Sequence, residues 1–156
     1  MSPSLKPTPR ECSVTDALTV LGGRYTLEIA RELFYGNRRF VDLVAQLGAP
    51  RSVLSNRLSM LCDTGVVERR RYSERPPREE YLLTDSGRDL MPILLALKQW
   101  GDRWCRDGEQ TVEFTHRCGD QLEVGTVCSA CRMPVRFEDL TITGGSHPPT
   151  LDVPNN

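Results

Sequence analysis

Ser52, Ser55, Asn56 and Ser59 fall at i, i+3, i+4 and i+7, so a helix through them gathers four short, uncharged side chains on one face. Arg51 and Arg57 stand at the margins of that face. A merely solvated face would more often carry Glu and Lys pairs. Small hydroxyl and amide groups let a helix backbone lie close to a surface and still offer donors and acceptors to it. That is the chemistry needed to read base edges in a DNA major groove, where Arg suits guanine and Asn suits adenine. Arg57 and Asn56 are therefore the base-reading candidates, with Ser52 and Ser55 beside them. The same pattern also suits an ordinary α+β domain whose arginines reflect genomic base composition, since the chain has 18 Arg against 2 Lys.

The elements that must hold this face are legible around it. Val53, Leu54, Leu58 and Leu61 form an apolar stripe on another side, which predicts a helix from Arg51 to Cys62. Asp63-Thr64-Gly65 stops it. Val66 to Tyr72 reads as a strand, Ser73 to Arg78 as a Pro-Pro tip outside the ladder, and Glu79 to Leu83 as the returning strand. Of the basic residues, Arg38, Arg39, Arg51, Arg75 and Arg78 are placed to hold phosphates. Arg69, Arg70 and Arg71 alternate faces along a strand, so only some of them can point at DNA. Upstream, helices are predicted over Glu11–Leu21, Arg24–Tyr35 and Val41–Leu47, and Gly48-Ala49-Pro50 links the third to the next, as in a helix-turn-helix. Downstream, Thr84 opens a long helix to about Arg106, with Pro92 as a kink. Its apolar coverage is broad, which predicts burial against a second copy through Leu94, Leu97, Trp100 and Trp104.

Bulk properties agree with a soluble globular chain: 156 residues, 38% hydrophobic and 26% charged, with no apolar run of membrane-spanning length. Met1 to Arg10 has no apolar core for a signal peptide, which predicts a cytoplasmic protein with no membrane partner. The net charge of −1 hides an asymmetry. Gly36 to Arg78 holds nine Arg against four acidic residues, whereas Glu109 to the end holds three Arg against seven. The expected organisation is a flexible segment at 1–10, a winged helix-turn-helix and dimerisation domain at 11–107, a small Cys/His β module at 108–143, and a disordered tail at 144–156. The fold class is α+β.

Six cysteines in a reducing compartment are thiols or metal ligands. His116-x-Cys118 and Cys128-x-x-Cys131 supply four ligands of types that zinc accepts, between short strands predicted at Val112–Thr115, Leu122–Val127 and Val135–Ile142. A segment with so little apolar content needs a staple to fold, which predicts a zinc-ribbon-like extension with one structural zinc per chain. Against it, the H-x-C pair is tight and the loop between the pairs is short, so free or redox-active thiols remain the alternative. Cys12 is either a thiol switch or a small apolar residue buried against the first helix. With only Arg10 near it in sequence to lower its pKa, the packed residue is preferred. Cys62 and Cys105 read as packing residues. A Cys128–Cys131 redox enzyme lacks the βαβ pattern such a site needs, and two His, one of them His147 in the tail, are too few for hydrolytic constellations. No catalytic residue is assigned, and the chain is expected not to be an enzyme. A protein-binding adaptor using the Cys/His tail would not require the Ser/Asn/Arg stripe.

Over about Cys12 to Trp104 the chain resembles the HxlR-type winged helix-turn-helix regulators, relatives of the MarR group. The resemblance rests on Cys12 before the first helix, Gly22-Gly23-Arg24-Tyr25, Gly36-x-x-Arg39-Phe40, Leu54-Ser-x-Arg-Leu58, the run Arg75 to Thr84, and Leu90 to Gly101. Tyr25 stands where the family usually has Trp. The resemblance implies a bacterial, cytoplasmic, nucleoid-associated homodimer that binds an inverted-repeat operator in double-stranded DNA, more often as a repressor. It also implies a small-molecule or redox effector, with Cys12 as the candidate sensor.

Overall fold

The computed structural model describes residues 11–141 and 143. The segments expected to be flexible, 1–10 and 144–156, and with them His147, lie outside the described residues. The chain forms two compact units, one of residues 17–125 and one of the described residues up to 16 and from 126. The element order is α1 Ser13–Leu21, α2 Thr26–Phe34, α3 Phe40–Leu47, α4 Arg51–Asp63, β1 Val67–Glu74, β2 Pro77–Leu83, α5 Asp85–Arg88 and α6 Met91–Cys105. Helix–turn–helix followed by a two-stranded antiparallel hairpin is an α+β winged helix-turn-helix. Among the described residues no helix is long and apolar enough to cross a membrane.

One core positions the polar stripe. Leu54, Leu58 and Leu61 are fully buried on α4 against Ile29 and Ala30 of α2, Leu43 of α3 and Val67 of β1. Each buried leucine contributes about 1.5–3 kcal/mol. Because these three residues share one side of α4, the Ser/Asn face must turn outward. The link before α4 is tight. Gly48 ends α3 at φ 57°, with its N–H donated to the Val44 carbonyl, and Ala49 is buried. Pro50 then stands in extended backbone ahead of α4, where a missing N–H costs nothing. On α2, the Glu32 carboxylate is buried but satisfied. Arg31 Nη2 lies 2.8 Å from one oxygen, and Asn37 Nδ2 donates to the other at 2.7 Å.

The hairpin departs from expectation at its tip. The ladder runs from Val67↔Leu83 to Glu74↔Pro77, so only Arg75 and Pro76 lie beyond it and Pro77 is paired. Pro77 needs no N–H to close the end of a two-stranded ladder, so the proline is tolerated there. A register shift between Arg71 and Ser73 bulges Tyr72 out of the pairing. The Tyr81 N–H donates to the Arg38 carbonyl at 2.8 Å, tying the wing to the start of the helix-turn-helix.

The long helix expected from Thr84 to Arg106 is two helices. α5 ends at Arg88 and α6 restarts at Met91, with Pro92 in its first turn. A proline in mid-helix removes a hydrogen bond and clashes with the preceding turn, whereas at a helix start it does neither, so the chain breaks before it. Thr84 caps α5: its hydroxyl accepts the Gly87 N–H and donates to the Gly65 carbonyl. The strands expected in the extension are absent among the described residues. In their place stand two isolated bridges, Thr115↔Gln121 and Val127↔Pro134, and a 3-10 turn at Phe137–Asp139. Without an apolar sheet face to bury, these short segments close as turns. Residues up to 125 share the unit of the winged core. Phe114 meets Tyr35 with ring centroids 6.4 Å apart, and the Val124 N–H donates to Gln99 Oε1 on α6.

Candidate nucleic-acid interface

Ser52, Ser55, Asn56 and Ser59 are all exposed on α4, opposite the leucine stripe. The first-turn amides of this helix have no side-chain cap. The helix therefore presents uncapped N–H groups, the positive end of its dipole and the exposed Arg51 together, a combination suited to a backbone phosphate. Nothing on the stripe carries a charge, so hydrogen-bond readout of base edges meets no repulsion there.

The nine arginines between Gly36 and Arg78 sort into distinct roles once their partners are seen. Arg69, Arg70 and Arg71 are engaged within the wing, with Glu79 at 3.5 Å, Glu80 at 2.7 Å and Glu74 at 3.3 Å. Arg39 lies over the Tyr72 ring at 5.4 Å and Arg51 over Phe40 at 5.1 Å, stacking that orders a guanidinium but leaves its charge uncompensated. Arg38, Arg75 and Arg78 are exposed, and among the described residues no carboxylate lies within ion-pair distance of them. Arg57 differs from the rest. It is half-buried, with its guanidinium against the Gly23 backbone and Nη1 3.9 Å from Met60 Sδ. The structure thus brings the stripe, Arg51 and the wing tip to the surface, and directs Arg57 toward the turn between α1 and α2.

α6 has no buried residue. Of the four expected interface residues, Leu94 packs on the chain's own core, whereas Leu97, Trp100 and Trp104 are exposed at 47%, 59% and 65%. Ile93, not among the expected interface residues, is exposed at 47% and completes the row Ile93, Leu97, Trp100, Trp104. Its spacing of four, three and four residues is that of an apolar helix–helix seam. The signal was present in the sequence, but Leu90, Met91 and Leu94 obscured its phase.

The cysteines correct two expectations, the packing roles of Cys12 and Cys105. Cys12 is exposed, not buried, and stands immediately ahead of α1, where the amides of Thr15 and Val14 and the Thr15 hydroxyl hold its thiol below the usual range. A cysteine one residue before a helix was the sequence signal: helix N-terminal amides stabilise a thiolate without any basic neighbour. Cys105 is also exposed, while Cys62 is half-buried beside the core and burial pushes its thiol up. His116 Nδ1 lies 3.2 Å from Cys118 Sγ on the turn closed by Thr115↔Gln121. Cys128 begins the turn closed by Val127↔Pro134, and the amides of Cys131 and Ala130, with the Cys131 thiol, lower its pKa. Among the described residues no three of His, Cys, Asp or Glu stand close enough to share a metal ion. Since the thiolate is the reactive form, a lowered pKa moves the rise of alkylation to lower pH and a raised one to higher pH. In metal-free protein near neutral pH, Cys12 and Cys128 should therefore be alkylated ahead of Cys62. A mass-spectrometric time course in which Cys62 reacts first would contradict these environments.

Comparison with known proteins places the geometry. A family profile described as HxlR-like helix-turn-helix matches residues 20–109. An HTH-type transcriptional regulator of Mycobacterium tuberculosis is 40% identical over 131 residues, covering 83% of each chain. The crystal structure of PA1607, described as a transcription factor, superposes with a TM-score of 0.77 at 31% identity, over 85% of this chain and 94% of that one. The redox regulator HypR in its reduced form superposes with a TM-score of 0.57 at 31% identity, over 63% of this chain and all of that one.

Proposed function

This chain belongs to the HxlR-like helix-turn-helix family and is a transcriptional regulator with a helix-turn-helix DNA-binding domain, and from that premise we propose that it represses transcription as a homodimer on an inverted-repeat operator in the bacterial cytoplasm. The observation that carries this reading is the exposed, uncharged Ser/Asn face of α4 with Arg51 at its start, together with the exposed Arg75 and Arg78 of the wing. α4 enters the major groove, the wing reaches the neighbouring backbone, and the seam on α6 joins two copies. A two-fold dimer presents two recognition helices related by symmetry, so its operator is an inverted repeat. A dimer seated on a promoter excludes polymerase until an effector releases it, which makes repression the simplest sign of control.

Gel shifts on genomic fragments at several salt concentrations test this reading. The wing makes a specific prediction. Arg75→Ala and Arg78→Ala should weaken binding to every duplex alike, and each should reduce the slope of log K against log salt by about 0.9. Variants that bind as the wild type does at all salt concentrations would remove the wing from the interface.

Two further proposals concern the cysteines. Cys12 is the candidate input for a redox or electrophile signal, supported by its exposure at the start of α1 and its lowered thiol pKa. From residue types and spacing, His116, Cys118, Cys128 and Cys131 are proposed to bind one structural zinc per chain, which would supply the folding energy that a small apolar content cannot. The amides directed at Cys128 Sγ suit a metal-bound thiolate. Elemental analysis of reduced protein purified without a metal-binding tag should find about one zinc per chain. It should be lost in Cys128→Ser. Negligible zinc in reduced, folded protein defeats the proposal.

A further inference from the structure

Gly23 owes its identity to space, not conformation. Its φ lies outside the left-handed region, so any residue could adopt its backbone. A Cβ built there, however, would stand 2.5 Å from Arg57 Cζ, 2.7 Å from Nη1 and 2.9 Å from Nη2. All three distances are well inside van der Waals contact, so the guanidinium occupies the place where a side chain at position 23 would begin. Among the described residues no carboxylate lies within ion-pair distance of Arg57. Its seat is the bare backbone of the turn. That turn is fixed to α2, since the Gly23 carbonyl accepts the Thr26 N–H at 3.1 Å and Tyr25, at φ 69°, packs against the core.

From this contact we infer that Arg57 is a positioning residue for DNA reading: seated on Gly23, it fastens α4 to the turn between α1 and α2 and sets the rotation at which Ser52, Ser55, Asn56 and Ser59 meet the groove. The inference rests on the reading of α4 as the recognition helix. Leu54, Leu58 and Leu61 hold α4 to the core along one stripe, with Met60 and Cys62 packed less deeply beside it, so a small rotation about the helix axis is the displacement these contacts resist least. Arg57 lies off that stripe, between Leu58 and Asn56 in sequence, and resists the roll. With side-chain tips about 5–6 Å from the helix axis, a roll of about 10° moves them by about 1 Å. That is roughly twice the tolerance within which a recognition group must be held.

The test compares wild type with Gly23→Ala, Arg57→Ala, Arg57→Lys and the Gly23→Ala/Arg57→Ala double variant. The probe is a duplex that the wild type selects from a random-sequence pool, with each base pair then replaced in turn. Gly23→Ala evicts the guanidinium while leaving it on the protein, and only the flexible end of a side chain must move. Gly23→Ala and Arg57→Ala should each lose about 10-fold or more of the preference for the selected duplex, the cost of about one misread contact. The loss should spread over all the base pairs that α4 reads, the double variant should be no worse than either single one, and the salt slope should not change. Lysine should fail to restore binding, because an ammonium has no flat face to lay on the backbone. In the free proteins, amide hydrogen exchange should quicken in α4 and stay unchanged in α6. A different result overturns the inference: Gly23→Ala keeps or sharpens the preference, while Arg57→Ala loses it at one base pair only. Arg57 would then be a base reader that leaves its seat. If the wild type selects no sequence at all, it is the recognition-helix reading that fails, and unchanged α4 exchange in the variants would still refute the clamp.

Discussion

Leu97→Glu combined with Trp104→Glu should convert a stable dimer into a folded monomer and abolish operator binding. Both side chains are exposed in the single chain, at 47% and 65%, so neither substitution disturbs the chain's own core. In a dimer joined along Ile93, Leu97, Trp100 and Trp104, each glutamate instead places an unpaired carboxylate in an apolar interface. Four such burials, two from each copy, cost at least about 4 kcal/mol together, which is roughly 1,000-fold or more in the dimer dissociation constant. DNA affinity falls with it, because a monomer engages one half-site and loses the 10²–10⁴-fold gain, in order of magnitude, that a linked second site supplies. Sedimentation velocity at micromolar concentration, read beside circular dichroism, checks both parts. A wild-type monomer at that concentration, or a variant that remains a dimer, would displace the interface from this seam. Leu94→Glu is an informative contrast. Leu94 packs on the core, so a charge there should lower the melting temperature and not merely separate the copies.

Asn56→Ala should erase operator preference while leaving weak, salt-sensitive binding to any duplex. Asn56 is exposed at the centre of the stripe, and its amide can donate to and accept from an adenine edge at once. Losing such a pair costs about 1–3 kcal/mol, roughly 10- to 100-fold in preference. The loss should fall on one base pair, which distinguishes a reader from the positioning role assigned to Arg57. If Asn56→Ala discriminates all single-base variants of the selected duplex as well as the wild type does, the stripe is not the reading surface.

The helix-turn-helix and the polar stripe were legible because their signals are local. Leucines at i, i+4 and i+7 mark a buried side, serines and an asparagine between them mark an open one, and Gly48-Ala49-Pro50 marks the turn. Harder to read was anything that depended on which of two partners a side chain would meet. The wing illustrates this. Its arginines were legible as a basic cluster, but a ladder that places Arg70 opposite Glu80 spends part of that charge within the hairpin. What reaches the tip uncompensated is Arg75 and Arg78. Tyr72 as a platform for Arg39 required the bulge between Arg71 and Ser73, which no periodicity announces.

By itself, then, the sequence determined the element types up to the wing, the open polar face of α4 and the family, because apolar period and turn residues act over a few neighbours. Tertiary structure decided the rest. The apolar face of α6 is split between Leu94, which turns to the core, and Ile93, Leu97, Trp100 and Trp104, which are left exposed. Cys12 stands exposed at a helix start, and the Arg57 guanidinium lies against Gly23. For the α6 face and Arg57 the physical reason is the same. A helix period states that a side is apolar, or that a side chain is long and charged, but its direction is chosen by what occupies the neighbouring space. For α6 that is how much of its apolar surface α2 covers, and for Arg57 it is the missing Cβ of a glycine 34 positions earlier in the chain.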